Sequence, residues 1–244
     1  MVLELQKPRP IWQIMFSTHH TDIGLLYLIS SLAFLFLGGT LALAIRAELF
    51  FPNIEGTGQI IADSMTFNRI FTVHGTTLIF LFIIPFASAV GNYFVPIMVR
   101  YKDMAYPKLN AIAFWMIPPA AVLVWLGFAD FTWYAQPPYS IISAPGPAAD
   151  MWIFGLKILG VSSVLGAINF VITILKCKHP DMSIGQVPLL AWSFLATSVI
   201  IIVAIPTFAA ALLMLLTDRL GVSGFFNPAM GGDPIAYSHL FWFT

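Results

Sequence analysis

The chain holds 244 residues, 59% of them apolar, with 11 Lys and Arg balancing 11 Asp and Glu. Charged residues make up 9% of it, where a soluble domain carries about 25%; that excludes an ordinary cytoplasmic enzyme, a disordered segment and a nucleic-acid binder with its basic surface. A single cysteine, Cys177, excludes a disulfide scaffold and a thiolate metal cluster built by this chain alone, and a polytopic membrane protein remains.

Charge-free intervals locate the spans, because about 20 apolar residues cross the hydrocarbon core. Residues 1–22 are too polar for a cleaved signal peptide. Residues 23–45, 70–99 and 109–129 then run uncharged for 23, 30 and 21 residues. Residues 131–149 are uncharged too, but Pro137, Pro138, Pro145 and Pro147 predict a connecting loop. Its Trp133-Tyr134-Ala135-Gln136-Pro137-Pro138 stretch reads as a stiff cap folded over the bundle. Residues 151–175 carry only Lys157, and in 182–217 Gln186 and Pro188 favour a helix start near Leu189. The predicted spans are about 23–48, 70–99, 109–130, 151–175 and 189–217, within one transmembrane domain over 1–244. A sixth helix opens near 234–237 and stops after about two turns. Its His239-Leu240-Phe241-Trp242-Phe243 run is expected to lack a partner face in this chain. Pro85, Pro118 and Pro119 predict kinks in the second and third spans.

With the N-terminus cytoplasmic, the inner segments hold Lys7, Arg9, Arg100, Lys102, Lys108, Lys176 and Lys178. Arg46, Arg69 and Arg219 fall outside, with Lys157 near the outer end of the fourth span. Glu48, Glu55, Asp63, Asp130, Asp150, Asp218 and Asp233 share that outer side. The alternation follows the positive-inside rule. No inverted pair of broken helices stands out to suggest a transporter.

His74 lies near the outer end of the second span, in Phe71-Thr72-Val73-His74-Gly75-Thr76-Thr77. An imidazole within a span needs a partner. Gly75 and the threonines leave room for a flat group, which suits an axial haem ligand whose other ring nitrogen rests on a second acceptor. A helix-packing histidine is the alternative. His19 and His20 read as an ordinary interfacial pair, and His179 as a solvated loop residue. Arg46 either snorkels to headgroups or meets the periphery of a cofactor beside His74, at similar depth. At the inner end, Asp103 sits between Asn92 and Asn110. Asn169 lies near the same side, and Ser162-Ser163 about 10 Å higher on the same face of the fourth span. Together they form a polar file that orders water for proton transfer, or else a small-residue packing face.

These residues resemble subunit I of the haem-copper terminal oxidases. The resemblance runs from about residue 14 to 244: Ser17-Thr18-His19-His20-Thr21-Asp22 before the first span, Ile45-Arg46-Ala47-Glu48 after it, and His74-Gly75. It continues through Gly91-Asn92-Tyr93-Phe94-Val95-Pro96, Asp103-Met104-Ala105-Tyr106-Pro107 and Ser162-Ser163-Val164-Leu165-Gly166-Ala167-Ile168-Asn169. Leu215-Leu216-Thr217-Asp218-Arg219, Gly231-Gly232-Asp233-Pro234 and His239-Leu240-Phe241-Trp242-Phe243 complete it.

The resemblance implies an all-α fold, helices 1–5 of the subunit plus the start of helix 6. It makes His74 one axial ligand of a low-spin haem (type a, b or o), and sets Arg46 against that haem's periphery. Asp103 becomes the mouth of a proton path through Asn92, Asn110, Ser162, Ser163 and Asn169. It implies electron transfer from cytochrome c or quinol to O2 in a prokaryotic plasma membrane, or less expectedly the mitochondrial inner membrane. Nothing in the chain suggests nucleic acid; membrane lipid, oxidase subunit II and other respiratory subunits are the implied partners.

The family's copper ligand, acidic gate and tyrosine follow Phe-Trp-Phe, where this chain reads Trp242-Phe243-Thr244. Copper and a high-spin haem are therefore expected only in an assembly with a chain that supplies the remaining helices. A non-catalytic paralogue bracing a respiratory complex is the alternative. Other departures are His19, Thr21 and Gln136, and Arg100-Tyr101-Lys102 ahead of Asp103, which make the inlet more basic.

Overall fold

A computed structural model describes residues 10–50, 61, 63–142 and 146–243; Lys7, Arg9, Glu55, Pro145 and Thr244 lie outside the described residues. Five helices among them are long and apolar enough to cross a bilayer. A short α1 (Ile11–Met15) precedes the first span, α2 (His20–Phe50). The second span, Ser64–Met98, joins α3 (Ser64–Thr76), a π-helical turn (Thr77–Ile83) and α4 (Ile84–Met98). The third joins α5 (Pro107–Trp115) to α6 (Ile117–Gly127). After α7 (Tyr139–Ile142) come the fourth and fifth spans, α8 (Pro147–Lys176) and α9 (Leu189–Arg219). The last helix is α10 (Pro234–Phe241). The chain is an all-α polytopic membrane bundle.

The prolines act where the sequence places them. A proline ring clashes with the carbonyl four residues earlier. The second span widens to a π turn just ahead of Pro85, which opens the backbone around Leu81. The third span changes helix at Met116, immediately before Pro118 and Pro119. α2 starts three residues earlier than expected, because the Asp103 carboxylate, remote in sequence, accepts the His20 N–H at 3.1 Å.

α8 is the central helix and packs on α4, α5, α6 and α9, with Trp152, Ile153 and Leu156 fully buried. α6 meets it at two glycines. A Cβ on Gly127 would lie 2.7 Å from the Ala148 carbonyl oxygen, and one on Gly155 would lie 2.9 Å from that of Ala120. Backbone cannot step aside as a side chain can. Gly127→Ala is therefore expected to destabilise the bundle by about 1–3 kcal/mol, read as a lower melting temperature in detergent. An unchanged melting point would mean that α6 and α8 do not cross so closely.

α2 packs along α4 and presents Leu32, Phe36 and Leu43 outward, the surface a lipid-facing helix requires. The end of the chain departs from expectation. α10 does have a partner face: Phe241 is buried against Phe208, Trp133 and Tyr134, and the Tyr237 hydroxyl donates to the Tyr134 carbonyl at 2.8 Å. The loop after the third span and α9 together supply that face, and loop-to-helix packing carries no periodic sequence signal. Trp133 and Tyr134 do form a cap, and Gln136 ties it down by donating to the Pro234 carbonyl and accepting from the Ser238 hydroxyl.

Candidate functional site

Asp63 caps α3, accepting the Thr66 N–H at 2.7 Å and its hydroxyl at 3.0 Å, and these bonds hold its carboxyl below the ordinary range. In the last turn of α3, half-buried His74 meets α2. Its Nδ1 stands 2.9 Å from the Gly38 carbonyl oxygen. A carbonyl has no proton to give, so Nδ1 donates and Nε2 keeps its lone pair. Gly38 makes the approach close, since a Cβ there would lie 2.7 Å from Leu78 Cδ2 on the π turn. Beside it, a Cβ on Gly39 would meet nothing within 4 Å.

Two expectations about this site are corrected. Gly75 and the threonines do not leave room for a flat group. A Cβ on Gly75 would stand 3.1 Å from Trp133 Cβ, Thr72 donates to the Phe131 carbonyl, and Thr76 accepts the Trp152 indole N–H at 2.9 Å. Nor are Arg46 and His74 level: Arg46 lies eight residues beyond Gly38, a rise of about 12 Å. Its side chain is exposed. An imidazole with Nδ1 held by a backbone carbonyl fits the donor chemistry of an axial haem ligand. Among the described residues, no three His, Cys, Asp or Glu side chains gather to hold a metal ion.

At the other end of the bundle, Asp103 Oδ1 accepts the N–H groups of His20 (3.1 Å) and Met104 (2.7 Å). His20 is buried, and its Nδ1 donates to the Asn92 carbonyl at 2.9 Å. The Asn92 side chain accepts from Asn110 at 2.5 Å and donates to the Ser88 carbonyl at 2.8 Å. Above this amide pair lies a cavity of 260 Å³, lined by Asn92, Ser88, Tyr27, Ser162, Ser163 and Ser198 among apolar neighbours. Ser162 donates to the Ala113 carbonyl at 2.6 Å, and Ser163 to that of Leu159 at 2.9 Å; both hydroxyl oxygens keep acceptor capacity for water.

Asn169 stands apart from the cavity. Its amide is occupied by the backbone N–H (2.9 Å) and carbonyl (3.2 Å) of Tyr106, so it staples the Asp103 loop to α8. Thr173 joins it by accepting the Ala105 N–H at 2.9 Å. Ser162 and Asn169 do share one face of α8, and that face meets α5.

Sequence reasoning passed over His20, Tyr27 and Ser88. A signal was present: His20, Gly24, Tyr27 and Ser31 recur at helical spacing and are all buried toward the bundle.

The chain is thus an all-α membrane bundle with an imidazole held by a backbone carbonyl in one span and, toward its other end, an Asn92–Asn110 pair beside a largely apolar cavity. The chain is a member of the cytochrome c and quinol oxidase polypeptide I family, whose model matches residues 22–244. It is 42% identical over 247 residues to cytochrome c oxidase subunit 1 of Synechocystis sp., covering 99% of this chain and 44% of that protein. It is 40% identical over 246 residues to cytochrome c oxidase polypeptide 1 of Halobacterium salinarum (98% and 40%). With cytochrome c oxidase subunit 1 of Corynebacterium efficiens the identity is 38% over 245 residues (98% and 41%). The chain spans less than half the length of these curated relatives.

Proposed function

We propose that this chain forms the first five spans, and the start of the sixth, of the core subunit of a proton-pumping terminal oxidase. The complete assembly passes electrons from cytochrome c or quinol to O2, giving water. The remaining subunit I helices contribute the other axial histidine, the high-spin haem site and the copper site. Oxidase subunit II and other respiratory subunits join them in a prokaryotic plasma membrane. The basic residues Arg100, Lys102, Lys108, Lys176 and Lys178 gather at the Asp103 end, which supports a cytoplasmic N-terminus.

In this reading His74 holds the low-spin haem iron through Nε2, and Arg46 meets the haem periphery. Haem, when bound, supplies reversible one-electron transfer. The Gly38 carbonyl fixes the tautomer and ring orientation of His74, so Nε2 is ready to ligate without reorganisation.

The observation that carries the reading is the hydrogen-bonded run from Asp103 through His20 to Asn92, which pairs with Asn110 and lines the cavity inside an otherwise apolar bundle. Asp103 takes up a proton at its carboxylate from the cytoplasmic side. Asn92 and Asn110 orient water above it, and Ser162, Ser163 and Tyr27 hold water in the cavity. Asn169 keeps the Asp103 loop in place through Tyr106. Asp103→Asn retains the acceptor for the His20 N–H but removes the titrating group. It is expected to slow proton uptake by the assembled complex about a hundredfold, the low end of what a positioned proton carrier contributes. Uptake followed with a pH-sensitive dye after oxygen mixing reads this directly, and an unchanged rate means that the inlet is elsewhere.

A further inference from the structure

Asn92 lies four residues before Pro96, inside α4. Proline has no N–H, so the helix leaves the Asn92 carbonyl without its usual donor. A buried carbonyl in an apolar span needs another partner. His20, a residue only 4% exposed, provides one from the first span, with Nδ1 2.9 Å from that oxygen. The same residue's backbone N–H, an orphan donor at the start of α2, goes to Asp103 Oδ1 at 3.1 Å. One turn further on, Gly24 lets α2 lie against α4: a Cβ there would stand 3.2 Å from both the Ala89 carbonyl oxygen and the Tyr93 nitrogen. A single residue therefore ties the carboxylate, the start of α2 and the backbone that carries the Asn92–Asn110 amide pair.

We propose, resting on the proton-inlet reading above, that His20 is a positioning residue whose imidazole replaces the N–H missing at Pro96 and so holds Asp103 in register with Asn92 and Asn110. The ring acts as a fixed donor and passes no proton itself. Asparagine is the matching replacement, because its amide nitrogen, like Nδ1, is bonded to Cγ and donates. Leucine fills similar space without a donor.

Three variants in the assembled complex test this, with proton uptake as the readout and the low-spin haem spectrum as the check on assembly. H20N is expected to keep wild-type uptake. H20L is expected to slow it about tenfold, the ratio carried by one buried hydrogen bond. The double variant H20L/P96A is expected to restore uptake, since P96A returns an N–H to the Asn92 carbonyl from within the helix. If H20L fails to assemble, recovery of assembly in the double variant supports the role and continued failure overturns it. Slow uptake in H20N, or no rescue by P96A, overturns the positioning role while D103N still reports a working inlet. Wild-type uptake in D103N overturns the inlet and the role of His20 with it.

Discussion

Replacing His74 by alanine is expected to abolish the low-spin haem absorbance of the assembled complex while leaving the five spans inserted. The side chain is half-buried in the last turn of α3, and among the described residues its hydrogen bond is to the Gly38 carbonyl. That oxygen also sits within α2, where the helix supplies it with a donor, so the substitution leaves no buried group stranded. Loss of the band would therefore report loss of a ligand rather than loss of the fold. A subtler variant separates ligation from tuning. Gly38→Val drives a branched side chain into Leu78, which already stands 2.7 Å from the position of a Cβ, and pushes α2 away from the imidazole. Removing such an outer partner costs about ten- to a hundredfold in metal affinity, so haem should be retained weakly instead of lost. A reduced-minus-oxidised difference spectrum distinguishes the two, and an unchanged band in H74A would remove the histidine from the site.

The second large effect is structural. Arg219 ends α9 with a side chain 5% exposed, and its Nε donates to Asp150 Oδ1 at 2.7 Å. Its other nitrogens donate to the Ser140 carbonyl and, at 3.1 Å, to that of Gly146. One guanidinium thus joins α7, the start of α8 and the end of α9. Its neighbour Asp218 accepts the Phe225 and Phe226 N–H groups at 2.8 and 2.6 Å, fixing the loop that leads toward α10. Arg219→Met removes the charge and all of these donors, leaving the Asp150 carboxylate and two carbonyls without them. Breaking a buried pair costs about 3–5 kcal/mol; the 28% exposure of Asp150 places this case near about 3 kcal/mol. The expected result is a sharply lower yield of assembled complex and a lower melting temperature. Normal assembly would show that water replaces the guanidinium at this end of the bundle.

The spans were legible because a helix in lipid must be apolar on every side, so the gaps between charges mark them. Their ends were less so. α2 begins at His20 because Asp103 caps it from a distant loop, and no local pattern encodes such a cap. His74 drew notice as an ionisable group within a span, where the membrane makes such groups costly, and Asp103 as a carboxylate in a short inner loop between Asn92 and Asn110. His20 was passed over because two adjacent histidines at an interface look ordinary. Its importance follows from Pro96, whose missing N–H matters only once α2 is packed on α4. Gly75 misled for a related reason: a glycine signals close approach, but whether a cofactor or Trp133 makes it depends on where a later loop folds. The partner face of α10 was hidden in the same way, since Trp133 and Tyr134 reach it across about a hundred residues.

A density map of the assembled complex at the first turns of the second span tests the central claim most directly. It should show iron at bonding distance from His74 Nε2, with Nδ1 still on the Gly38 carbonyl. A map in which Nε2 instead hydrogen-bonds a side chain or water, with no iron beside it, would contradict it.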